Sequence, residues 1–213
     1  MPSLFVIAGP NGAGKSTFSK DLVPAALDVF DGDKELIRLQ QKFPDTEPAQ
    51  LLSYVNETLF PGQKALAVSE KKDFAFETNF ASITVMDTVR FFKESAYDVH
   101  LIFIGLISIG HAMERVDLRV RRGGHSVSGD DIRTNYDEGL KNLKRFINDF
   151  DRVLIYDNSG KSRLSLPRLQ CKLQNGKLIE KSTEISAWAS RILEENNRLL
   201  KKKRISPRKG RRL

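Results

Sequence analysis

The chain has 213 residues, 40% of them hydrophobic, which is enough to bury one sizeable core, and it contains no apolar run of the roughly 20 residues that a membrane span needs. A single cysteine, Cys171, excludes an internal disulfide framework, and three scattered histidines offer no zinc-type spacing. The formal charge of +8 sits at one end: eight of the 35 basic residues fall in 201–213, which holds no acidic one, so 1–200 carries 27 of each sign. This division predicts a single domain over 1–200 and a basic disordered tail over 201–213, with nucleic-acid contact limited to weak binding by that tail. No basic stretch precedes the first apolar run, which predicts a cytoplasmic protein rather than a secreted one.

Leu4-Phe5-Val6-Ile7-Ala8 reads as the first strand, and the segment directly after it is chemically specific. Gly9-Pro10-Asn11-Gly12-Ala13-Gly14-Lys15-Ser16 fits the phosphate-binding pattern G-x-x-x-x-G-K-[ST], with Thr17 continuing into helix formers. A strand that delivers a Gly-rich turn to a helix start points backbone N–H groups and the positive end of the helix dipole at a phosphate. Lys15 would reach the β- and γ-phosphates, and the Ser16 hydroxyl would join a Mg²⁺ shell.

The helix is expected to end near Val23, before Pro24. Leu27 to Phe30 suggests a short second strand, closed by Asp31-Gly32-Asp33. Thr46-Glu47-Pro48 marks the next helix start, followed by Leu51, Leu52, Val55 and Leu59 at helical spacing. Phe74-Ala75-Phe76 is a further strand, ended by Glu77-Thr78-Asn79, and Ser82 is expected to cap a helix reaching about Ala96. Val99 to Leu106, broken only by His100, is the longest apolar run and suits the centre of a parallel sheet. A helix from Ser108 to Arg122 breaks at Gly123-Gly124, and Ser128 with Asp131 resembles a capping box. The strand Val153 to Tyr156, a hairpin turning at Asn175-Gly176 and a closing helix over about 184–200 complete the pattern. Alternating strands and helices predict an α/β fold, a parallel sheet covered by helices on both faces, with a small C-terminal hairpin and helix added.

In such sheets ligands lie beyond the carboxyl ends of the strands, so the polar residues there become the candidates. Asp33 is placed to accept a proton from a substrate hydroxyl or to help hold Mg²⁺, and equally to cap a helix starting at Lys34. Asp31 shares that strand end. Glu77, with Thr78 and Asn79, forms a polar cluster suited to substrate hydroxyls or a metal-bound water. Arg115, Arg119 and Arg122 fall on one helix face before the Gly-Gly break, where guanidinium groups can neutralise a phosphoryl group in transfer; a solvated basic face is the plainer reading. His125 in the following loop either touches substrate or phosphate or is structural.

These residues together resemble zeta-toxin-like bacterial kinases, especially their short branch. The likeness rests on the loop Gly9 to Ser16, Phe30-Asp31-Gly32-Asp33, Phe76-Glu77-Thr78, Arg119-Val120-Arg121-Arg122-Gly123-Gly124-His125 and Tyr156-Asp157-Asn158-Ser159, over about residues 1–180. It implies a nucleotide-kinase-like fold, ATP and Mg²⁺ as cofactors, and transfer of a phosphoryl group to a hydroxyl of a small molecule such as UDP-N-acetylglucosamine. It also implies an antitoxin protein as a partner. By position, Lys15 and Ser16 hold ATP and Mg²⁺, Asp33 is the base, Glu77 contacts substrate, and Arg119 or Arg122 closes over the γ-phosphate. The family pattern places an arginine before Tyr136, where this chain has Asn135, with Arg133 nearby. A nucleoside or polynucleotide kinase is the alternative enzyme, and an ATP-binding interaction module without turnover is the alternative from another class.

Overall fold

The computed structural model describes residues 1–160 and 166–205. Among these, seven strands form one sheet in the order β2-β3-β1-β4-β5-β6-β7: β1 (Ser3–Ala8), β2 (Val29–Phe30), β3 (Phe74–Thr78), β4 (Asp98–Gly105), β5 (Arg152–Asp157), β6 (Arg168–Gln174) and β7 (Lys177–Lys181). The first five run parallel. In β4, Val99, Leu101, Ile102, Phe103 and Ile104 are all essentially inaccessible to solvent. Helices on both faces account for that continuous burial, each such side chain contributing about 1.5–3 kcal/mol.

The helices are α1 (Lys15–Leu22), α2 (Gly32–Lys42), α3 (Pro48–Tyr54), α4 (Phe60–Glu70), α5 (Val85–Glu94), α6 (Ile109–Val120), α7 (Gly129–Phe146) and α8 (Ala187–Ile205). On one face, Leu4, Phe74, Phe92, Leu101, Phe103 and Ile192 belong to the larger core; on the other, Ile7, Ile102, Ile104, Ala112, Val116 and Ile132 form a second. A short π-helical turn, Val55–Leu59, joins α3 to α4, with Phe60 N–H donating to Val55 O. Pro61 explains it: a proline ring clashes with the carbonyl four residues back, and widening the turn ahead of it relieves the clash without ending the helix.

Several local expectations change. The hairpin forms at Asn175 (φ 49°) and Gly176 (φ 72°), but it is not a separate appendage. β6 pairs antiparallel with β5, so the hairpin extends the main sheet. Thr84, not Ser82, precedes α5 as the cap residue; the Ser82 hydroxyl instead accepts from Thr84 N–H in a tight turn. The helix expected to start at Lys34 starts at Gly32, so the cap is Asp31, whose Oδ1 accepts from Asp33 N–H at 3.1 Å and Lys34 N–H at 3.3 Å. Ser128 caps α7 as expected, accepting from Asp131 N–H. The closing helix runs to Ile205, five residues into the basic run; residues 206–213 lie outside the described residues.

Two features fix the carboxyl end of the sheet. Trp188, on α8, donates its indole N–H to Asp157 Oδ2 at 2.6 Å, and a Cβ on Gly105 would lie 2.3 Å from the indole ring. Next to Asp157, Asn158 donates to Ala13 O at 2.8 Å, tying β5 to the Gly-rich loop. Cys171 is buried in β6, where desolvation pushes its thiol up to about 12, well outside the reactive range.

Candidate functional site

The Gly-rich loop packs against the end of β4. A Cβ on Gly9 (φ 148°) would come within 2.1 Å of Ile104 O, and one on Gly14 (φ 90°) within 2.7 Å of the Asn158 amide. Only glycine permits both the dihedral and the approach. Gly14 is the cap of α1 and supplies no side-chain bond; Thr17 N–H donates to Gly14 O, which leaves the N–H groups of Lys15 and Ser16 to face a ligand.

Around this loop a cleft of about 740 Å³ gathers residues from five stretches of chain. Asn11, Lys15 and Ser16 come from the loop and α1; Asp31, Asp33, Lys34 and Ile37 from the start of α2; Glu77 to Asn79 from the end of β3; Arg115, Arg119 and Arg122 from α6 and its end; Gly124 and His125 from the loop beyond. Every side chain singled out for catalysis or substrate contact therefore faces one space. Gly12, Gly14, Ser16 and Thr17 line it too, whereas Arg121 and Arg133 are not among its lining residues.

Lys15 Nζ donates to Gly9 O at 2.7 Å, Pro10 O at 3.2 Å and Asn79 Oδ1 at 2.8 Å. Burial pushes its ammonium down to about 8 despite the carboxylates of Glu77, Asp33 and Asp31, while Arg119 works in the same direction as burial. Asn79 is held in turn by α7. Phe80 takes a left-handed conformation (φ 58°), its N–H donates to Thr78 Oγ1, and the Asn142 amide donates to the carbonyls of Phe80 and Ala81. Thr78, expected to meet substrate, accepts the Phe80 N–H on its hydroxyl oxygen and keeps its own proton for another partner.

The Ser16 hydroxyl lies 2.9 Å from Asp31 Oδ2 and 2.7 Å from Glu77 Oε2. A hydroxyl carries one proton, so two carboxylate oxygens converge on a single donor. Burial is the main cause that raises the Glu77 carboxyl above its ordinary range; Asp31 adds to the rise, and the Ser16 bond, Lys15 and the nearby Ser19 hydroxyl oppose it. Glu77 Oε1 is buried with no hydrogen-bond partner, and so is Arg119 Nε. Asp33, by contrast, is 71% exposed, with His125 Nε2 4.0 Å from its Oδ2.

Arg115 reaches the carbonyls of Gly12 at 3.5 Å and Gly160 at 3.3 Å, bracing α6 against the loop. Asn135, on α7 at the position where an arginine was expected, donates its amide to Asn11 Oδ1 at 2.8 Å. That contact orients the loop and brings no charge. Sequence reasoning singled out neither Asn11 to Asn135 nor Lys15 to Asn79 as pairs, because the partners stand 124 and 64 residues apart.

The Zeta toxin family model matches residues 1–169. An uncharacterized protein of Haemophilus influenzae is 25% identical over 133 residues, 60% of this chain and 88% of the relative. Among solved structures, the PezAT chromosomal toxin-antitoxin system of Streptococcus pneumoniae matches with a TM-score of 0.58 at 14% identity, covering 97% of this chain and 88% of that one. The AvrRxo1-ORF1:-ORF2 complex with ATP matches with a TM-score of 0.67 at 14% identity, covering 91% and 64%. At those identities the structural matches speak for a shared fold. The sequence match extends over most of the chain and takes in the loop, both acidic strand ends and the arginine helix, so the protein belongs to the Zeta toxin family and is a kinase-like phosphotransferase.

Proposed function

We propose that the cleft transfers the γ-phosphate of ATP to a hydroxyl of a small molecule, and that a sugar nucleotide such as UDP-N-acetylglucosamine is the first acceptor to examine. One observation carries this reading. A buried guanidinium nitrogen and a buried carboxylate oxygen, Arg119 Nε and Glu77 Oε1, stand unpartnered in the same cleft as Lys15 and Asp33. Unsatisfied buried groups of both signs call for a ligand that is itself anionic and accompanied by a cation.

The roles follow from position. The loop Gly9 to Thr17, through those backbone N–H groups not already bonded within the protein, and the Lys15 ammonium hold the phosphates; Arg119 and Arg122 neutralise charge on the group in transfer. Asp33, the most accessible of the three carboxylates, takes the acceptor's proton. The Ser16 hydroxyl with Asp31 and Glu77 suits Mg²⁺: hard oxygens crowd around one proton, and the described residues contain no cluster of three or more His, Cys, Asp or Glu able to hold a metal alone. Mg²⁺ generally binds through one or two carboxylates plus phosphates and waters, and when bound it supplies charge neutralisation. His125 and Thr78 line the acceptor side. PezAT and AvrRxo1 were both solved as two-component systems, which supports looking for an antitoxin partner of this chain as well. No helix among the described residues is long and apolar enough to cross a membrane.

The test is a cell metabolite extract incubated with protein and ATP labelled in the γ-phosphate, read by mass spectrometry. A single metabolite gaining one phosphate is the expected result; ATP bound tightly with no acceptor labelled would instead indicate a binding module without turnover.

Lys15 adds a pH signature. The free ammonium is lost as pH rises through about 8, whereas phosphates alongside it would restore its pKa toward the ordinary 10.5. Between those values binding takes up a proton, so nucleotide affinity is full below about 8 and declines above it. Calorimetry in buffers of different ionisation enthalpy should show uptake approaching one proton near pH 9 and little near pH 7.5. Uptake that is the same at both would remove Lys15 from contact with the phosphates.

A further inference from the structure

One imidazole nitrogen in the cleft faces two groups it cannot serve together. His125 Nε2 is 3.4 Å from Arg119 Nη2 and 4.0 Å from Asp33 Oδ2. A guanidinium only donates, so a bond from Arg119 requires a lone pair on Nε2 and the ring proton on Nδ1. In that tautomer Nε2 has no proton to give the Asp33 carboxylate. With the proton on Nε2, His125 can donate to Asp33 but must release Arg119.

Two further contacts link these groups mechanically. The loop that carries His125 turns at Gly123 (φ 84°) and packs on the Arg119 side chain, where a Cβ on Gly124 would lie 2.6 Å from Arg119 Cγ. Gly124 N–H also donates to Arg119 O. Arg119 is itself only partly engaged, its Nε being buried without a partner. A phosphate that captured this guanidinium would draw it from His125 and shift the loop with it.

We propose that His125 is a positioning residue that makes the setting of Asp33 depend on occupation of Arg119 by the donor's γ-phosphate. Without that phosphate, Arg119 holds Nε2 as an acceptor. With it, Nε2 is released and the ring exchanges its proton through solvent, losing one at Nδ1 and gaining one at Nε2. It then donates to Asp33 Oδ2, leaving Oδ1 for the acceptor's proton. The inference rests on the reading of the cleft as a nucleoside triphosphate site, and it would give a carboxylate as exposed as Asp33 a fixed orientation once the donor is in place.

Imidazole ¹⁵N–¹H spectra of the whole labelled protein test it, because only His100, His111 and His125 contribute and the His125 signals are assigned by their loss in His125→Ala. Nε2 should resemble a lone-pair nitrogen in the free protein and with ADP, and an N–H nitrogen with Mg²⁺ and the hydrolysis-resistant analogue AMP-PNP. In Arg119→Ala it should be of the N–H type without nucleotide. An unchanged Nε2 in protein shown by calorimetry to be saturated with AMP-PNP, or a lone-pair Nε2 in free Arg119→Ala, overturns the proposal. His125→Ala should slow transfer to the metabolite labelled in the extract on the order of 10²-fold at unchanged KM for ATP; a wild-type rate counts against it. If phosphate is transferred but Nε2 does not respond, the coupling fails and the kinase stands. If Nε2 responds and no acceptor is ever labelled, the kinase fails and the coupling stands.

Discussion

Lys15→Met is expected to lower phosphate transfer by about 10³-fold, the upper range for removal of a single preorganised charge-stabilising donor. The ammonium is buried, fixed by three oxygens and surrounded by Glu77, Asp31 and Asp33. Among the described residues the other cations lining the cleft approach from elsewhere: Lys34 from α2, where it pairs with Asp31 Oδ2 at 3.4 Å, and Arg115, Arg119 and Arg122 from α6 and its end. Stability should change little, since two effects oppose. Methionine removes the cost of burying a charge, and it also leaves Gly9 O, Pro10 O and Asn79 Oδ1 without their donor, each effect being of order a few kcal/mol. Thermal unfolding of the variant beside a transfer assay separates the two quantities. A folded Lys15→Met protein that still labels its acceptor would show that the loop does not hold the donor.

Asp33→Asn should reduce transfer by roughly 10²–10⁴-fold, the usual contribution of a positioned base, with nucleotide affinity nearly unchanged. The side chain is 71% exposed, so its loss should alter stability by no more than about 0.5 kcal/mol. Asp31, two residues earlier, provides the contrast. It is buried, caps α2 through Oδ1 and meets Ser16 through Oδ2, so Asp31→Ala should cost about 1 kcal/mol from the cap alone and weaken Mg²⁺-dependent binding as well. Urea unfolding and isothermal titration of both variants decide the assignment. Equal loss of affinity in the two would mean that Asp33 also holds the metal and nucleotide rather than acting as the base.

This contrast also marks where the sequence was legible. Asp31-Gly32-Asp33 offers two cap residues in one tripeptide, and local chemistry does not choose between them; Ser16, 15 residues upstream, anchors Asp31 and thereby decides. The loop, the central position of Val99 to Leu106, the arginine face of α6 and the turn at Asn175-Gly176 were readable because each depends on neighbours within one element. The antiparallel attachment of β6 to β5, the role of Asn79 and the Asn11–Asn135 bond depend on chain segments that meet only after folding. Pro61 lies within a continuous helical stretch, because the π-turn at 55–59 that accommodates it keeps the helix running where proline usually ends one.

The indole of Trp188 has a bearing on where a functional fragment can be cut. The family match stops at residue 169, yet the Asp157 carboxylate at the end of β5 is satisfied from residue 188, and its neighbour Asn158 steadies the loop through Ala13. A protein trimmed to the matched region would bare a buried acidic oxygen one residue from the phosphate-binding apparatus. The candidate site thus borrows its floor from the C-terminal helix, and a fragment that keeps this geometry includes both.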